Sequence, residues 1–502
     1  MQPMNRRTVL LGGLAAGATL PLGAPALART RPRLTHGVQS GDVTAREAVV
    51  WARADRPSRM VVEVARRPDF RGARRIRGPY LTPGTDLTGK TLLRGLPAGE
   101  EIHYRVTLSD GRAGSAPVTG RLRTAPGHRT GIGFVWSGDL AGQGWGINPE
   151  LGGYRIFRSM AALDPDFFLC SGDLVYADNP LTGTVALPDG RTWRNLVTPE
   201  KTKVAETLAE YRGQFRYNLH DENLRAFNAR VPMIYQWDDH EVTNNWYPGE
   251  ILDLPQYTEK RVDVLAARAR RAMFEYTPIR GESVYRKLSY GPLMDVFVLD
   301  MRTHKDPNGA NDSAAQDEGV LGARQLAWLK RELRRSRATW KVIAADLPLG
   351  LIVPDGTAFE GIAQGDGGAP LGREREIADL LSYAKRHEVR NMVWLTADVH
   401  YTAAHYYDPA KAAFKDFDPF WEFVTGPLNA GAFGPNKLES TFGPQLRFQQ
   451  APPRANTSPA EGYQFFGEAR IDAESAAFTV NLRDIDGKTL YTKTLTPVPG
   501  RQ

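Results

Sequence analysis

Cysteine is nearly absent from the sequence. Cys170 is the single one in 502 residues, so no intrachain disulfide can form. A chain of this length buries enough apolar surface to fold without cross-links, so this scarcity does not argue against export. No apolar run after the N-terminus reaches the ~20 residues that a membrane-spanning helix needs, and no recognisable nucleic-acid-binding motif is present. These absences predict no stable membrane span and no specific nucleic-acid binding, and we also expect a monomer.

Acidic residues are scarce in the N-terminal part of the chain. The whole sequence has 64 Lys and Arg against 57 Asp and Glu, a formal net charge of +7. The stretch 29–127 alone holds 19 basic and 9 acidic residues, so it carries more than the whole excess. Such a surface can attract anionic substrates or an anionic cell surface. The simpler interpretation is a solvated, arginine-rich face.

The first 28 residues have the pattern of a targeting segment. Arg6 and Arg7 form a twin-arginine pair, an apolar stretch follows to Leu22, and 26–28 reads Ala-Leu-Ala, a small-residue cleavage site. Twin-arginine signals serve proteins that are exported already folded, through the Tat translocase. We predict a signal peptide at 1–28 and a periplasmic or secreted protein. A retained N-terminal anchor is the alternative.

Residues 32–125 are predicted to be all-β. The runs 48–51, 60–64 and 102–106 are rich in β-branched and aromatic residues, and Gly and Pro punctuate the segments between them. Their size and spacing are typical of an immunoglobulin-like β-sandwich. The segment 124–127 reads as a linker, which leaves 128–502 as a second, catalytic domain.

Beyond the linker, short apolar runs alternate with helical stretches, which indicates an α/β layered fold. Helices are predicted over 208–228 and 324–335, and over much of 257–273. Strands return near the end of the chain, at 463–466, 477–482 and 489–491. The segment 484–488 reads as a turn between the last two.

Six predicted strands end in aspartate. They are 132–136 with Asp139, 167–170 with Asp173, 233–237 with Asp238 and Asp239, 296–299 with Asp300, 342–345 with Asp346, and 392–396 with Asp398. Ligand sites of α/β sheets gather at the carboxyl ends of strands. Carboxylates placed together there repel one another unless their pKa values rise or cations bind. His240 and His400 would complete a mixed oxygen and nitrogen set suited to transition metals.

Three short segments make the metal interpretation more specific. Asp173 and Tyr176 lie three residues apart, so the carboxylate can bridge two ions while the phenolate binds one. Asp239 and His240 are adjacent, so their side chains point apart, one toward metal and one toward substrate. Asp398 and His400 lie two residues apart and would share one side of an extended chain.

With these segments, the sequence resembles the PhoD-type alkaline phosphatases of the calcineurin-like metallophosphoesterase superfamily. The motifs that carry the resemblance are THGVQSGD (35–42), GDLVY (172–176), WDDHE (237–241), LDMR (299–302) and LTADVH (395–400). The resemblance covers nearly the whole mature chain and includes the β-rich tail. It implies an immunoglobulin-like N-terminal sandwich followed by a β-sandwich core flanked by helices.

The resemblance also implies a ligand set, with a ferric ion bound by tyrosinate beside calcium ions. By this resemblance Asp173 would bridge and Tyr176 would bind iron. Asp398 and His400 would complete the cluster, and Asp239, helped by Asn244, would bind the second metal. Many members have a cysteine iron ligand where this chain has Asp139, so Mn²⁺, Zn²⁺ or Mg²⁺ are alternatives. Cys170 lies within a predicted strand and reads as a core residue.

Together these features predict an exported, metal-dependent phosphoric ester hydrolase of the alkaline phosphatase kind, with a metal-bridging hydroxide as nucleophile. His240 is predicted to protonate the leaving alkoxide or to bind the phosphoryl group. Arg302 is predicted to clamp a phosphoryl oxygen, and an ion pair within the domain, for instance to Asp300, is its alternative. Phosphomonoesters and phosphodiesters are both expected as substrates. The other functions considered are a phosphodiesterase or phospholipase D-like hydrolase, and a metal-stabilised binding protein without turnover.

Overall fold

A computed structural model of the protein describes residues 31–315 and 319–499. From Pro32 onward the described chain forms one compact unit. The predicted signal peptide, with Arg6 and Arg7, lies outside the described residues. Within the described part, no helix has both the length and the apolar character needed to cross a membrane.

The N-terminal part is a β-sandwich of seven strands. They are β1 (Leu34–Gly41), β2 (Glu47–Ala54), β3 (Ser58–Ala65), β4 (Arg74–Leu81), β5 (Thr88–Arg94), β6 (Glu101–Ser109) and β7 (Val118–Arg123). One sheet has the order β5-β2-β1 and the other β4-β3-β6-β7. Every second residue of β6 is buried, as a strand with one face on a core requires. Val50, Val62 and Tyr104 lie in the core between the sheets.

The predicted N-terminal strands all lie within β2, β3 and β6, so the N-terminal β-sandwich is confirmed. Its immunoglobulin type and the domain bounds at 125 and 128 stay predictions.

The rest of the described chain contains seventeen strands and six α-helices. The strands are β8 (Ile132–Ser137), β9 (Phe167–Ser171), β10 (Thr184–Ala186), β11 (Thr192–Arg194), β12 (Met233–Gln236), β13 (Arg286–Tyr290), β14 (Met294–Val298), β15 (Trp340–Ala344), β16 (Pro354–Asp355), β17 (Ala358–Phe359), β18 (Met392–Thr396), β19 (Thr402–Tyr407), β20 (Phe420–Val424), β21 (Pro444–Gln450), β22 (Phe465–Ile471), β23 (Phe478–Asp484) and β24 (Thr489–Leu495). The helices are α1 (Ile156–Ala162), α2 (Leu208–Asn218), α3 (Glu222–Asn228), α4 (Val262–Tyr276), α5 (Gly322–Arg335) and α6 (Glu374–Arg386).

Two large sheets form the centre of this part. The first has the order β24-β23-β22-β8-β9-β12-β1-β2-β5, and the second has β13-β14-β15-β18-β20-β19-β21. Within them β8, β9 and β12 are parallel, as are β14, β15, β18 and β20. Residues of both sheets, such as Phe134, Ile234, Val296 and Val393, share one buried apolar cluster. The two sheets therefore pack face to face.

Helices cover the outer faces of both sheets. Phe157 of α1 and Leu265 of α4 lie in one apolar cluster with Phe168 of β9. Leu329 of α5 and Leu380 of α6 lie in another, which contains residues of β14, β15 and β18. The alternating pattern of the sequence thus produces a sandwich flanked by helices, with the six aspartate-terminated strands divided equally between two sheets.

Two predicted helices differ from the observed ones. The stretch 208–228 is two helices, because Asp221 caps α3 through its side chain and breaks the run. A capping box between Thr207 and Glu210 fixes the start of α2. The helix predicted over 257–273 begins only at Val262. The turn predicted at 484–488 is confirmed by a hydrogen bond from the Asp484 amide to the Lys488 carbonyl.

The N-terminal sandwich continues into the first large sheet. Gly41 of β1 pairs in parallel with Met233 of β12, and the Asp42 amide donates to the Met233 carbonyl at 3.2 Å. The Asp42 carboxylate then accepts two hydrogen bonds from the Arg286 guanidinium, at 2.7 and 2.8 Å. This bidentate ion pair fixes the end of β1 beside the strands that carry the site.

Candidate metal centre

Acidic residues from the strand ends of both large sheets lie close together. We call the set of Asp139, Asp173, Asp238, Asp239, Asp346, Glu360 and Asp398 the carboxylate cluster. Three of the parallel strands in the first sheet and two in the second contribute to it, which is why residues far apart in sequence lie together. Asp300 follows β14 but accepts hydrogen bonds from Trp237 and Thr303, so it braces a turn.

Three groups of side chains in the described chain lie close enough together to bind a metal ion. Their ligand atoms lie within 4.8 Å of one another in each group, and every group contains residues from more than one strand end. The groups are Asp139 with Asp173 and His400, Asp173 with Asp239 and His240, and Asp238 with Asp239 and Asp398. Asp173 is common to the first two groups, so its carboxylate lies between two adjoining positions.

The His400 ring is held in the form that can bind a cation. Its Nδ1 lies 2.5 Å from the Gly431 carbonyl, which can only accept, so Nδ1 carries the proton and Nε2 a lone pair. Nε2 lies 2.8 Å from the Tyr176 hydroxyl and 3.5 Å from Asp139 Oδ1. Burial lowers the pKa of His400 to about 4, which keeps the ring neutral. The free nitrogen of His400 thus lies close to both the Tyr176 oxygen and a carboxylate oxygen of Asp139.

His240 lies on the other side of the Tyr176 ring, with ring centroids 4.2 Å apart. Its Nδ1 lies 2.8 and 2.9 Å from the two carboxylate oxygens of Asp178, which fixes the ring. Burial opposes a charge here, but the carboxylates of Asp178 and Asp239 raise the pKa of His240 to about 9. Nε2 lies 3.9 Å from Asp239 Oδ2. The imidazole therefore lies at the cluster with its second nitrogen free of the Asp178 contact.

Several oxygens of the carboxylate cluster are buried without a hydrogen-bond donor. Both oxygens of Asp139 are in this state, as is one oxygen each of Asp238, Asp346 and Asp398. Burial first, and then the neighbouring carboxylates, raise the pKa values of Asp139, Asp173 and Asp398 well above the usual range. Bound cations remove both costs. The donor set therefore fits metal ions, and its mixture of carboxylate, imidazole and phenol fits transition metals as well as calcium.

The backbone at the cluster is strained. Asp139, Asp173, Asp398 and His400 all have left-handed φ values, between 50° and 68°. Non-glycine residues adopt this conformation at an energetic cost, and such residues gather at functional sites. The segment 398–400 is therefore a turn. The predicted extended chain is wrong, although Asp398 and His400 both reach the cluster.

Arg302 contacts the carboxylate cluster from the protein interior and has no exposed surface. Its guanidinium pairs with Asp238 and Glu360, and lies 3.6 Å from Asp346 Oδ2. Burial opposes the charge, but these carboxylates raise the pKa of Arg302 far above its usual range. The observed geometry is the predicted alternative, an ion pair within the domain, with Asp238 and Glu360 as partners in place of Asp300.

Asn244 is exposed, and its backbone amide donates to Asp178 Oδ2 at 2.8 Å, while its role as a metal ligand stays a prediction. The amide of the next residue, Asn245, donates to Asp239 at 2.6 Å. Two functional residues were missed. Asp178 lies two residues after the GDLVY motif, and this closeness to the motif could have marked it as a site residue. Glu360 follows the short β16–β17 hairpin and no strand-end pattern marks it.

Cys170 is fully buried in β9, as predicted for a core residue, and its thiol faces the Gly172 carbonyl at 3.7 Å.

Glu241 connects the loops that follow β9 and β12, because its carboxylate accepts hydrogen bonds from the amides of Asp173, Leu174 and Asp238. This brace joins the ends of β9 and β12 and sets the distance between their aspartates.

Family models and a characterised relative both connect this chain with phosphatases. The family model for PhoD-like phosphatases matches residues 134–482, and the model for their N-terminal domain matches residues 21–126. Alkaline phosphatase D of Bacillus subtilis (strain 168) is 28% identical, over 81% of this chain and 71% of that protein.

Two solved structures share the fold. The structure of PhoD aligns with a TM-score of 0.69 and 21% identity, covering 94% of this chain and 90% of that one. The purple acid phosphatase PPD1 from yellow lupin (Lupinus luteus) seeds aligns with a TM-score of 0.57 and 13% identity, covering 93% of this chain and 74% of that one. At these identities the likeness concerns the fold.

Proposed function

Because the chain belongs to the PhoD-like phosphatase family and is a phosphoesterase, we propose that it is a metal-dependent alkaline phosphatase whose carboxylate cluster is the catalytic centre. The observation that carries the proposal is the position of Asp173, which two adjoining groups of metal-ligating atoms share. Asp139, Tyr176 and His400 would hold one ion with it, and Asp239 would hold a second. Ions bound there would polarise the phosphoryl oxygens as Lewis acids and would activate a water molecule.

His240 is the residue that we propose acts on the leaving group. It lies at the cluster, its ring is fixed by Asp178, and its Nε2 is available to donate a proton. The alternative role, in which His240 only binds the phosphoryl group, uses the same nitrogen and the same geometry. The two roles differ in how the rate depends on the basicity of the leaving alcohol.

We predict that His240→Asn slows esters of aliphatic alcohols at least about tenfold more than p-nitrophenyl phosphate, because the nitrophenolate leaves without a proton. Steady-state kcat/KM values for both kinds of ester provide the test. His387→Asn, at the exposed end of α6, is the matched control and should change neither rate. Equal losses on the two kinds of ester would instead indicate phosphoryl binding.

We also propose that the ion beside Tyr176 is ferric, with Ca²⁺ at the neighbouring position. Burial first, and then the carboxylates of Asp173 and Asp139, raise the pKa of Tyr176 well above its usual range. A bound cation of high charge would stabilise a phenolate in these surroundings. Mn²⁺, Zn²⁺ and Mg²⁺ remain the alternatives, since Asp139 supplies an oxygen ligand.

If Tyr176 binds a ferric ion, the purified protein should be coloured by a broad phenolate-to-iron absorption band. Tyr176→Phe keeps the ring packing but removes the ligating oxygen, so the band should disappear while the fold persists. The visible spectrum and the iron content are measured together. A colourless protein with stoichiometric iron would rule out phenolate ligation, and one with zinc or manganese would rule out iron but leave hydrolysis intact.

Export is the last part of the proposal. The twin-arginine pair and the small-residue site at 26–28 support a cleaved signal read by the Tat translocase. Replacing Arg6 and Arg7 with lysine should leave unprocessed precursor in the cytoplasm, because this route reads the arginine pair itself. Cell fractionation and immunoblotting measure the distribution. Normal export of the double variant would show that another signal is used.

A further inference from the structure

The outer face of the sheet β4-β3-β6-β7 carries an open groove of about 500 Å³, formed by the N-terminal sandwich alone. Arg59 of β3 and Arg75 and Arg77 of β4 line it, together with Tyr80 and the turn that follows β6. None of these residues belongs to the carboxylate cluster. The groove is therefore a separate surface with its own chemistry.

The three guanidinium groups follow one another along the groove. Arg75 and Arg77 alternate with Ile76, which packs against the sandwich core, so both point outward. Arg77 is opposite Val61, and Tyr80 is opposite Arg59 on the neighbouring strand. Successive positions of this kind are separated by two residues, or about 7 Å along a strand. The result is a row of positive charges above a floor formed by Val61.

Charge balance distinguishes these arginines from the others of the sandwich. Most of the others pair with acidic residues, as in Arg53 with Asp86, Arg66 with Glu100, Arg67 with Asp69, Arg105 with Glu63, and Arg121 with Glu101. Within residues 31–315 and 319–499, the three groove arginines form no ion pair. The acidic residue opposite Arg75 is Glu63, which instead pairs with Arg105, whose Nε lies 2.6 Å from Glu63 Oε2.

The groove also holds part of its binding surface in place before any ligand arrives. Arg59 donates to the Gly78 carbonyl at 3.2 Å, and its guanidinium lies over the Tyr80 ring, 5.4 Å from the centroid. Asp110 lines the groove, but its carboxylate accepts the amides of Arg112 and Ala113 in the turn. Positive charge therefore dominates, with the ring of Tyr80 48% exposed beside it.

We propose that this groove binds a linear polyanion that carries successive phosphate groups. A small anion is best held by donors that converge in a closed pocket, whereas an open row of charges matches a chain of charges. The ligand chemistry is a phosphate chain, and its source is either a polynucleotide or another phosphate polymer. Bound there, a polymer stays attached to the protein independently of the catalytic centre. This inference does not depend on the proposed function.

The experiment compares two triple variants of the mature protein. The groove variant is Arg59→Gln/Arg75→Gln/Arg77→Gln. The control is Arg66→Gln/Arg67→Gln/Arg71→Gln, which removes the same charge from arginines that pair with Glu100 and Asp69. Fluorescence anisotropy measures binding of labelled inorganic polyphosphate and of labelled oligothymidylate as salt is varied. Both variants keep the catalytic centre, so its contribution to binding is the same.

The groove variant should bind polyphosphate at least about tenfold more weakly than wild type. The slope of log K against log salt concentration should become shallower by about 2, because fewer counterions are released on binding. The control should change binding by less than about threefold, and both variants should hydrolyse p-nitrophenyl phosphate normally.

A polynucleotide source predicts that Tyr80→Leu weakens binding of oligothymidylate but not of polyphosphate, since only bases stack on the ring. Equal weakening in both triple variants would overturn the proposal. So would loss of binding to phosphatidylglycerol vesicles with unchanged polyphosphate binding, because the surface would then recognise a membrane.

Discussion

Asp173→Ala should lower kcat/KM by more than about a hundredfold and reduce the metal content of the purified protein. Asp173 is 2% exposed and belongs to two adjoining groups of ligand atoms, so its loss removes one ligand from each position. Loss of a residue that merely supports a ligand typically costs 10–100-fold, and loss of a shared ligand should exceed that. Hydrolysis of p-nitrophenyl phosphate and elemental analysis of the same sample provide the measurement.

The matched control for this variant is Asp189→Ala. Asp189 is a half-exposed residue whose ion-pair partner is Arg191, and it should keep wild-type rate and metal content. Because Asp173 also accepts the His240 amide at 3.1 Å, a circular dichroism spectrum should confirm that the loop persists. A variant that keeps more than about a tenth of the wild-type rate with full metal would show that Asp173 is not a bridging ligand.

The second large effect is expected on stability. Arg302→Met should lower the free energy of unfolding by about 3–5 kcal/mol, because it leaves the buried carboxylates of Asp238 and Glu360 without their partner. The thermal midpoint of the metal-loaded protein should fall by several degrees. Differential scanning calorimetry gives the midpoint, and kinetics on the folded fraction give KM.

Arg454→Met is the comparison for this variant, because its ion pair with Glu461 is solvent-exposed and worth at most about 1 kcal/mol. The prediction separates the two interpretations of Arg302. A variant with an unchanged midpoint and a greatly raised KM would mean that Arg302 moves to clamp the substrate. A lowered midpoint with nearly normal KM would mean that its charge supports the fold.

Local signals predicted the strands and most of the clustered residues. Each of the six apolar runs that end in aspartate is a strand, and Asp139, Asp173, Asp239 and Asp398 lie at the cluster. These predictions succeeded because strand periodicity and the residue that follows a strand are both readable within about ten residues. The division of the six strands between two sheets was not readable, since it depends on pairing between distant segments.

Residues outside the strand-end pattern were harder to place. Glu360 follows a two-residue strand in an irregular segment, and its contact with Arg302 joins positions 58 residues apart. The turn at 398–400 needs left-handed backbone at Asp398 and His400, which side-chain pattern alone does not indicate. Asn244 is a ligand by family resemblance and stays a prediction, and the amide of the next residue, Asn245, contacts Asp239.

The junction between β1 and β12 has a consequence for how the chain can be divided. A fragment cut at 127 would lose β1, the neighbour of β12 in the first sheet, and with it the pairing of Gly41 with Met233 and the hydrogen bond from the Asp42 amide to the Met233 carbonyl. An open, apolar strand edge is a template for pairing with other chains, and β12 is buried over its whole length. We therefore expect a catalytic fragment expressed alone to aggregate more readily than the whole chain, because the N-terminal sandwich covers this end of β12.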